Sequence, residues 1–277
     1  MSFKQYLRTP VAERLDETYR QEDWAERFPG RSYYDVHLSV IEDHELCVAT
    51  FREFLGGGGK RILESGCGTG RWMAYFERLG NRAVGIDDSA GPLAVARAHD
   101  PVLALVRADV RRAPFRAGAF DAALSAYVAE HFEEGPVALF REIHRMLKPD
   151  GLFFVVVPFD NTLRRWLVNP ALRVGGLACR IYGKALAFTE YRYTRAEMDC
   201  FLGASGFETL RVLPDDYRLP WVKGLYSDAC DVGSFVRLMP KRPYEFGRLG
   251  RAVARGLQRF GLWHSCEGIF YVARARK

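Results

Sequence analysis

The sequence contains no run of about 18 apolar residues, so length alone excludes a membrane-spanning helix. Its longest strongly apolar stretch, Gly151 to Pro158, is only strand-sized. The opening residues, Met1-Ser-Phe-Lys-Gln-Tyr-Leu-Arg8, lack an apolar signal core, and the expected location is the cytoplasm. Six cysteines stand at 47, 67, 179, 200, 230 and 266. None is in C-x-x-C spacing and none joins histidines in a zinc pattern, so reduced thiols and no metal are expected. There is no internal repeat and no low-complexity tract beyond the short turn Gly56–Gly59. A chain of 277 residues can bury roughly three quarters of its unfolded surface, so it needs neither disulfide nor metal to hold a core.

What is present is a soluble composition, 48% apolar and 27% charged, with an uneven distribution of charge. Residues 1–160 carry 20 Lys+Arg against 24 Asp+Glu. Residues 161–277 carry 20 against 10, so the whole excess of +6 arises in the last 117 positions. A basic surplus confined to one part of a chain points to a negatively charged partner for that part.

The hydrophobic pattern alternates between strand and helix. Arg61-Ile-Leu, Arg82 to Ile86, Val102 to Arg107, Phe120 to Ala126 and Leu152 to Val157 read as strands. Arg71 to Leu79, Pro92 to His99 and Pro136 to Leu147 read as the helices between them, and Lys148 to Gly151 as a turn. Val36 to Leu55 also has helical spacing. Such alternation predicts an α/β protein with a parallel sheet covered on both faces. Ligands of these sheets bind beyond the carboxyl ends of the strands. Those ends read Glu64-Ser-Gly, Asp87-Asp-Ser, Asp109-Val and Ala126-Tyr, three of the four acidic.

The central motif is Glu64-Ser-Gly66-Cys-Gly68-Thr-Gly70-Arg-Trp72, which follows a strand and opens a helix. Glycine lets the backbone turn tightly and approach a ligand closely. With Arg at 71, the loop misses the G-x-G-x-x-G spacing of a dinucleotide site. Asp87 follows Gly68 by 19 residues at the end of the next strand, where a carboxylate can accept both ribose hydroxyls. Asp109 ends the third strand and could accept from an adenine amino group. No phosphate-seeking Lys or Arg stands among the glycines, so the set suits a nucleoside without phosphates.

Residues 60–158 resemble the class I S-adenosylmethionine-dependent methyltransferases, particularly their small-molecule branch. The resemblance rests on Ile62 to Trp72, Ala83 to Ser89, Arg107-Ala-Asp109, Ala113-Pro-Phe115, Ala119-Phe-Asp121, Ala129-Glu-His-Phe132 and Leu147 to Gly151. It implies a Rossmann-like, seven-stranded, doubly wound sheet whose last strand is antiparallel, with helical insertions on the substrate side. Glu64, Gly66, Cys67, Gly68 and Gly70 would line the methionine part of S-adenosyl-L-methionine. Ser65, where the family more often has an aliphatic residue, is counted with this loop. Asp87 would bind the ribose, with Asp88 sharing it or solvated; Asp109 and the Val110 backbone would meet the adenine. Ala126 and Tyr127 would face the sulfonium. His131 is a candidate general base, because an imidazole titrates in the right range to deprotonate a hydroxyl; a structural or cofactor-lining role competes with that assignment.

The expected organisation is an N-terminal helical flap at 1–58, a cofactor-binding core at 59–160, and the rest of the sheet at 161–277. That last part carries basic helical insertions at about 161–188 and 215–266 as a substrate cap. In the second insertion Leu249, Ala252, Val253, Gly256, Leu257, Phe260 and Trp263 follow helical spacing beside Arg248, Arg251, Arg255 and Arg259. A lid over an anionic acceptor, a helix resting on acidic lipid, and a nucleic-acid contact compete for this helix, in falling order. The function expected is methyl transfer to an oxygen or nitrogen of a small anionic, glycan or lipid-linked molecule. The alternatives are a non-catalytic cofactor-binding scaffold, a nucleic-acid methyltransferase and, against the loop spacing, a nicotinamide oxidoreductase.

Overall fold

A computed structural model describes residues 3–8, 41, 45–215 and 248–277. Nine strands are described: β1 (Phe3–Arg8), β2 (Arg61–Ser65), β3 (Arg82–Asp87), β4 (Leu105–Arg107), β5 (Phe120–Ala126), β6 (Leu147–Pro158), β7 (Leu186–Arg192), β8 (Phe207–Asp215) and β9 (Gly268–Ala275). Between them lie α1 (Glu45–Leu55), α2 (Arg71–Arg78), α3 (Ala90–His99), α4 (Val137–Met146), α5 (Asn169–Ile181), α6 (Arg195–Ala204) and α7 (Arg248–Arg259).

Seven strands form one sheet in the order β4-β3-β2-β5-β6-β9-β8. All run parallel except β9, which is antiparallel to both β6 and β8. This is the Rossmann-like, doubly wound arrangement. The strand order reverses between β2 and β5, and the crevice beyond their carboxyl ends is where such sheets bind ligands.

Two buried layers hold the sheet. On one face Phe51 of α1 meets Trp72, Phe76, Phe154 and Phe270 edge-on, with ring centroids 4.9–5.5 Å apart. On the other, Leu139, Phe140 and Ile143 of α4 and Met198 and Leu202 of α6 pack on Phe153 and Tyr271. The i, i+3, i+4 spacing of these residues puts them on single helix faces. Helix α6 starts where Thr194 and Glu197 make a capping box, each side chain satisfying the other's backbone N–H.

Three details differ from the sequence reading. Phe3–Arg8 is a strand, not helix, because its side chains alternate: Phe3 and Gln5 are buried while Lys4 is exposed. It pairs antiparallel with β7, which closes the first insertion, so the region after α5 returns as strand. The third strand begins at Leu105 rather than Val102, whose N–H is drawn into a turn by Asp100. The predicted turn at Lys148–Gly151 is absorbed into β6, where Asp150 takes a positive φ of 58° and the register with β5 shifts. The N-terminal part of the helix expected from Val36 lies largely outside the described residues.

Candidate active site

Strand β2 delivers the glycine loop to the crevice. Gly66, Gly68 and Gly70 have φ of 75°, 50° and 79°, in the left-handed region that other residues enter at a cost. A Cβ at Gly66 would lie 2.3 Å from Val128, so only glycine lets this loop pack against the segment after β5. A Cβ at Gly68 would meet nothing within 4 Å, so this part of the loop backbone faces open space.

Asp87, at the end of β3, organises the loop. One carboxylate oxygen accepts from the Gly68 N–H at 2.8 Å and the other from the Ser89 N–H at 2.9 Å. Asp88 is exposed and accepts from the Ser89 hydroxyl at 3.2 Å. Glu64 is buried and accepts from the Met73 N–H at 2.8 Å, in the first turn of α2. Burial pushes its carboxyl up to about 8, against the pull of the Met73 bond and of Arg71. Burial likewise raises the Cys67 thiol, which stays protonated and behaves as a packing group. Ser65 is buried, and its hydroxyl has no hydrogen-bond partner among the described residues.

Asp109 caps the short turn Val110–Arg112, accepting from the Arg111 N–H at 2.8 Å and from its guanidinium at 3.0 Å. The Arg111 hydrogen bonds hold its carboxyl below the usual carboxylate range. Arg111 also bonds Glu134 and lies 4.7 Å over the Phe132 ring. Asp109 therefore does the structural work of a cap whatever else it binds. Val110 is buried beside it.

Strand β5 ends at Ala126, followed by Tyr127 with a φ of 56°. This is a strained conformation for a non-glycine residue, of the kind that clusters at functional sites. The Tyr127 hydroxyl donates to Asp215 at 3.0 Å, and the Cys47 thiol donates to the other oxygen of Asp215 at 3.1 Å. Sequence reasoning missed Asp215 and Cys47; they come together with Tyr127 only because α1 and the carboxyl ends of β5 and β8 converge.

Glu130 and His131 share a short turn after β5 but not an environment. Glu130 is 1% exposed, its Oε2 has no hydrogen-bond partner among the described residues, and burial raises its carboxyl well above its ordinary value. His131 is largely exposed. Its Nδ1 lies 3.1 Å from the Thr189 carbonyl oxygen of β7, so it donates there and leaves Nε2 as the free base nitrogen. That nitrogen lies 3.9 Å from a Glu130 oxygen.

The described part of the second insertion docks through its last residues: His264 Nδ1 lies 3.0 Å from the Thr162 hydroxyl, and the Asn161 amide donates to the Cys266 carbonyl at 2.8 Å. Trp263 packs edge-on to Phe159 at 5.6 Å and under the Arg195 guanidinium at 5.2 Å. With Asp160, Thr162, Arg165 and Trp166 these residues line a hollow of about 230 Å³. Phe260 and Ala252, expected on the packed face of α7, are exposed, as are Arg255 and Arg259. The side chains at 248–251, 253 and 254 lie outside the described residues. Among the described residues no cluster of three or more His, Cys, Asp or Glu could hold a metal, and no helix is long and apolar enough to cross a membrane.

A fold with a glycine loop and an acidic residue at the ends of β2 and β3 defines a nucleoside-binding α/β protein. Residues 63–155 match the model of the methyltransferase domain. The chain is 33% identical over 158 residues to a ubiquinone biosynthesis O-methyltransferase of Azorhizobium caulinodans, an alignment covering 54% of this chain and 59% of that protein. It thus spans about three fifths or less of the length of curated relatives it matches. Its fold is shared with a 1,6-didemethyltoxoflavin-N1-methyltransferase of Burkholderia thailandensis, solved with its substrate and S-adenosylhomocysteine bound. That likeness has a TM-score of 0.53 at 16% identity and covers 96% of this chain and 88% of the other. The fold is also shared with the [4+2]-cyclase SpnF, with a TM-score of 0.53 at 20% identity over 83% and 80% of the two chains. Over residues 63–155 the chain thus carries a methyltransferase domain similar to that of these S-adenosylmethionine-dependent enzymes.

Proposed function

We propose that the protein is an S-adenosylmethionine-dependent methyltransferase that methylates an oxygen of a small acceptor. The observation that carries this reading is the pair of bonds from Gly68 and Ser89 to Asp87. They fix a carboxylate beside a glycine loop whose backbone is open to a ligand. Asp87 would take the ribose hydroxyls, with Asp88 beside it. Ser65, Gly66, Cys67, Gly68, Gly70 and Glu64 would hold the methionine part, and Asp109 with Val110 the adenine. Bound S-adenosylmethionine supplies an electrophilic methyl on a cationic sulfur, so the protein's task is alignment and exclusion of water. Ala126 and Tyr127 form the wall between the two sites. His131, held through Nδ1 by Thr189, accepts the acceptor's proton on Nε2.

The acceptor we infer is anionic or lipid-linked, met by residues 161–277 acting as a cap in the cytoplasm; their 20 cations against 10 acids support this. Calorimetry with S-adenosylmethionine and S-adenosylhomocysteine tests the cofactor assignment, and no heat from the folded protein overturns it. Incubation of extracts with methyl-labelled cofactor, followed by mass spectrometry, names the acceptor. Cofactor binding with no labelled product from any extract would favour a non-catalytic role, and a shifted but unmethylated substrate would favour a reaction like that of the cyclase.

A further inference from the structure

The first insertion carries a surface that the transfer reaction does not use. Helix α5 and the turn before it bury Val168, Leu172 and Cys179 against the body of the protein. The opposite face is apolar and open to solvent: Trp166 and Ile181 are 77% and 72% exposed, with Val174 and Leu177 between them. Positions 166, 170, 174, 177 and 181 recur every three to four residues, so these side chains and Pro170 form one stripe. Of the eight large hydrophobic residues exposed among the described residues, six lie between Trp166 and Tyr182. A concentration of this kind marks an interaction surface rather than scattered exposure.

Charge identifies the occupant. Residues 161–188 contain four Arg and one Lys and no Asp or Glu. Arg164 is buried, where its guanidinium donates to the Phe159 and Glu267 carbonyls. Arg173, Arg180 and Lys184 are exposed, and among the described residues none has a carboxylate within 4 Å. Arg173 and Arg180 border the apolar stripe and also line an open groove of about 540 Å³ with Lys4, Leu177, Leu186 and one acid, Glu197. An apolar stripe with cations at its edge matches the boundary of an anionic bilayer, where apolar groups enter the acyl layer and arginines meet the headgroups. A second copy of this chain would instead set arginine against arginine across a two-fold axis.

We propose that the face formed by Trp166, Val174, Leu177 and Ile181, edged by Arg173 and Arg180, seats the protein on an anionic phospholipid surface. The segment begins directly after β6, whose carboxyl end opens toward the proposed site, so a docked protein would present its acceptor side to the bilayer. This deepens the reading of a lipid-linked acceptor and rests on it for that purpose, although the docking itself does not.

The test is vesicle flotation of the full chain with phosphatidylcholine alone and with phosphatidylcholine containing one third phosphatidylglycerol. The protein should float with the anionic vesicles only, and 1 M salt should release much of it. Arg173→Ala and Arg180→Ala should each weaken binding roughly fivefold, and Leu177→Asp with Ile181→Asp should abolish it. These side chains are exposed, so the variants should keep the wild-type melting temperature. Equal binding to neutral vesicles, no binding, or binding untouched by the Asp substitutions overturns the proposal. A dimer in solution that the Asp substitutions dissociate, without vesicle binding, would assign the face to a second copy and also overturn it. Calorimetry with S-adenosylhomocysteine runs beside it: flotation without cofactor binding would remove the methyltransferase reading and leave this one standing.

Discussion

Glu64 and Glu130 are both buried carboxyls at the carboxyl end of the sheet, one on each side of the switch between β2 and β5, and they are treated differently. Glu64 is met by the N–H of Met73 in the first turn of α2, while Glu130 leaves an oxygen unpaired. The same division runs through the two regions. On the cofactor side, Asp87 and Asp109 are anchored by backbone N–H groups of their own turns. On the acceptor side, Glu130 holds a buried oxygen without a partner among the described residues, at a cost of about 1–3 kcal/mol. The cofactor-side carboxylates are thus set by backbone N–H groups before a ligand arrives, whereas Glu130 is not; the buried hydroxyl of Ser65 is the exception on the cofactor side.

The comparison can be broken at four points. The largest effect is expected at His131, where His131→Ala should lower kcat about 10²–10⁴-fold with cofactor affinity unchanged. Unchanged turnover would move the base elsewhere. Next is the pH dependence of stability. Glu64 is raised to about 8 in the folded state, so the native protein holds a proton that the unfolded chain releases near 4.5. This contribution is therefore complete below about pH 4.5 and lost as pH rises toward 8, at most about 5 kcal/mol in all. Glu64→Gln should flatten the fall in melting temperature over that range; a profile identical to wild type would show that Glu64 is ionised throughout. A cationic cofactor beside Glu64 should also expel its proton, read as a buffer-dependent binding enthalpy near pH 7 that the Gln variant lacks.

Asp87→Ala should weaken cofactor binding about a hundredfold, the loss of two hydrogen bonds to a charged acceptor. Retained affinity in titration calorimetry would take Asp87 out of the ribose site. The smallest change is Tyr127→Phe, which removes the hydroxyl bond to buried Asp215 and should cost about 1–3 kcal/mol in denaturant unfolding. A null result there would mean that Asp215 is held by Cys47 and its neighbours without the tyrosine.

The cofactor side was readable because its chemistry is local. A glycine loop, a strand and an acid 19 residues on are one strand–turn–helix–strand unit, and the bond from Gly68 to Asp87 spans that interval. The seven-stranded order followed from the resemblance of that unit to a known family. The acceptor side was not readable in the same way. Asp215 joins Tyr127 across 88 residues and His131 is oriented by Thr189 across 58, distances over which no periodicity carries information. The Phe3–Arg8 strand was missed for the same reason, since its partner lies inside an insertion that begins with helical spacing. At Asp109 the cap and the ligand roles call for the same residue type, so sequence could not separate them.

The pairing of β1 with β7 also sets a schedule for making the protein. Gln5 and Thr189, joined in the finished sheet, are 184 residues apart. At ribosomal speeds of 5–20 residues per second, the first strand waits roughly ten to forty seconds for its mate. During that time its row of backbone donors and acceptors is an open edge, available to any other extended segment. Lys4, exposed near the start of that strand, is the kind of charge that discourages such mispairing. A Lys4→Val chain should therefore yield less soluble protein during synthesis even if its folded form is as stable as before.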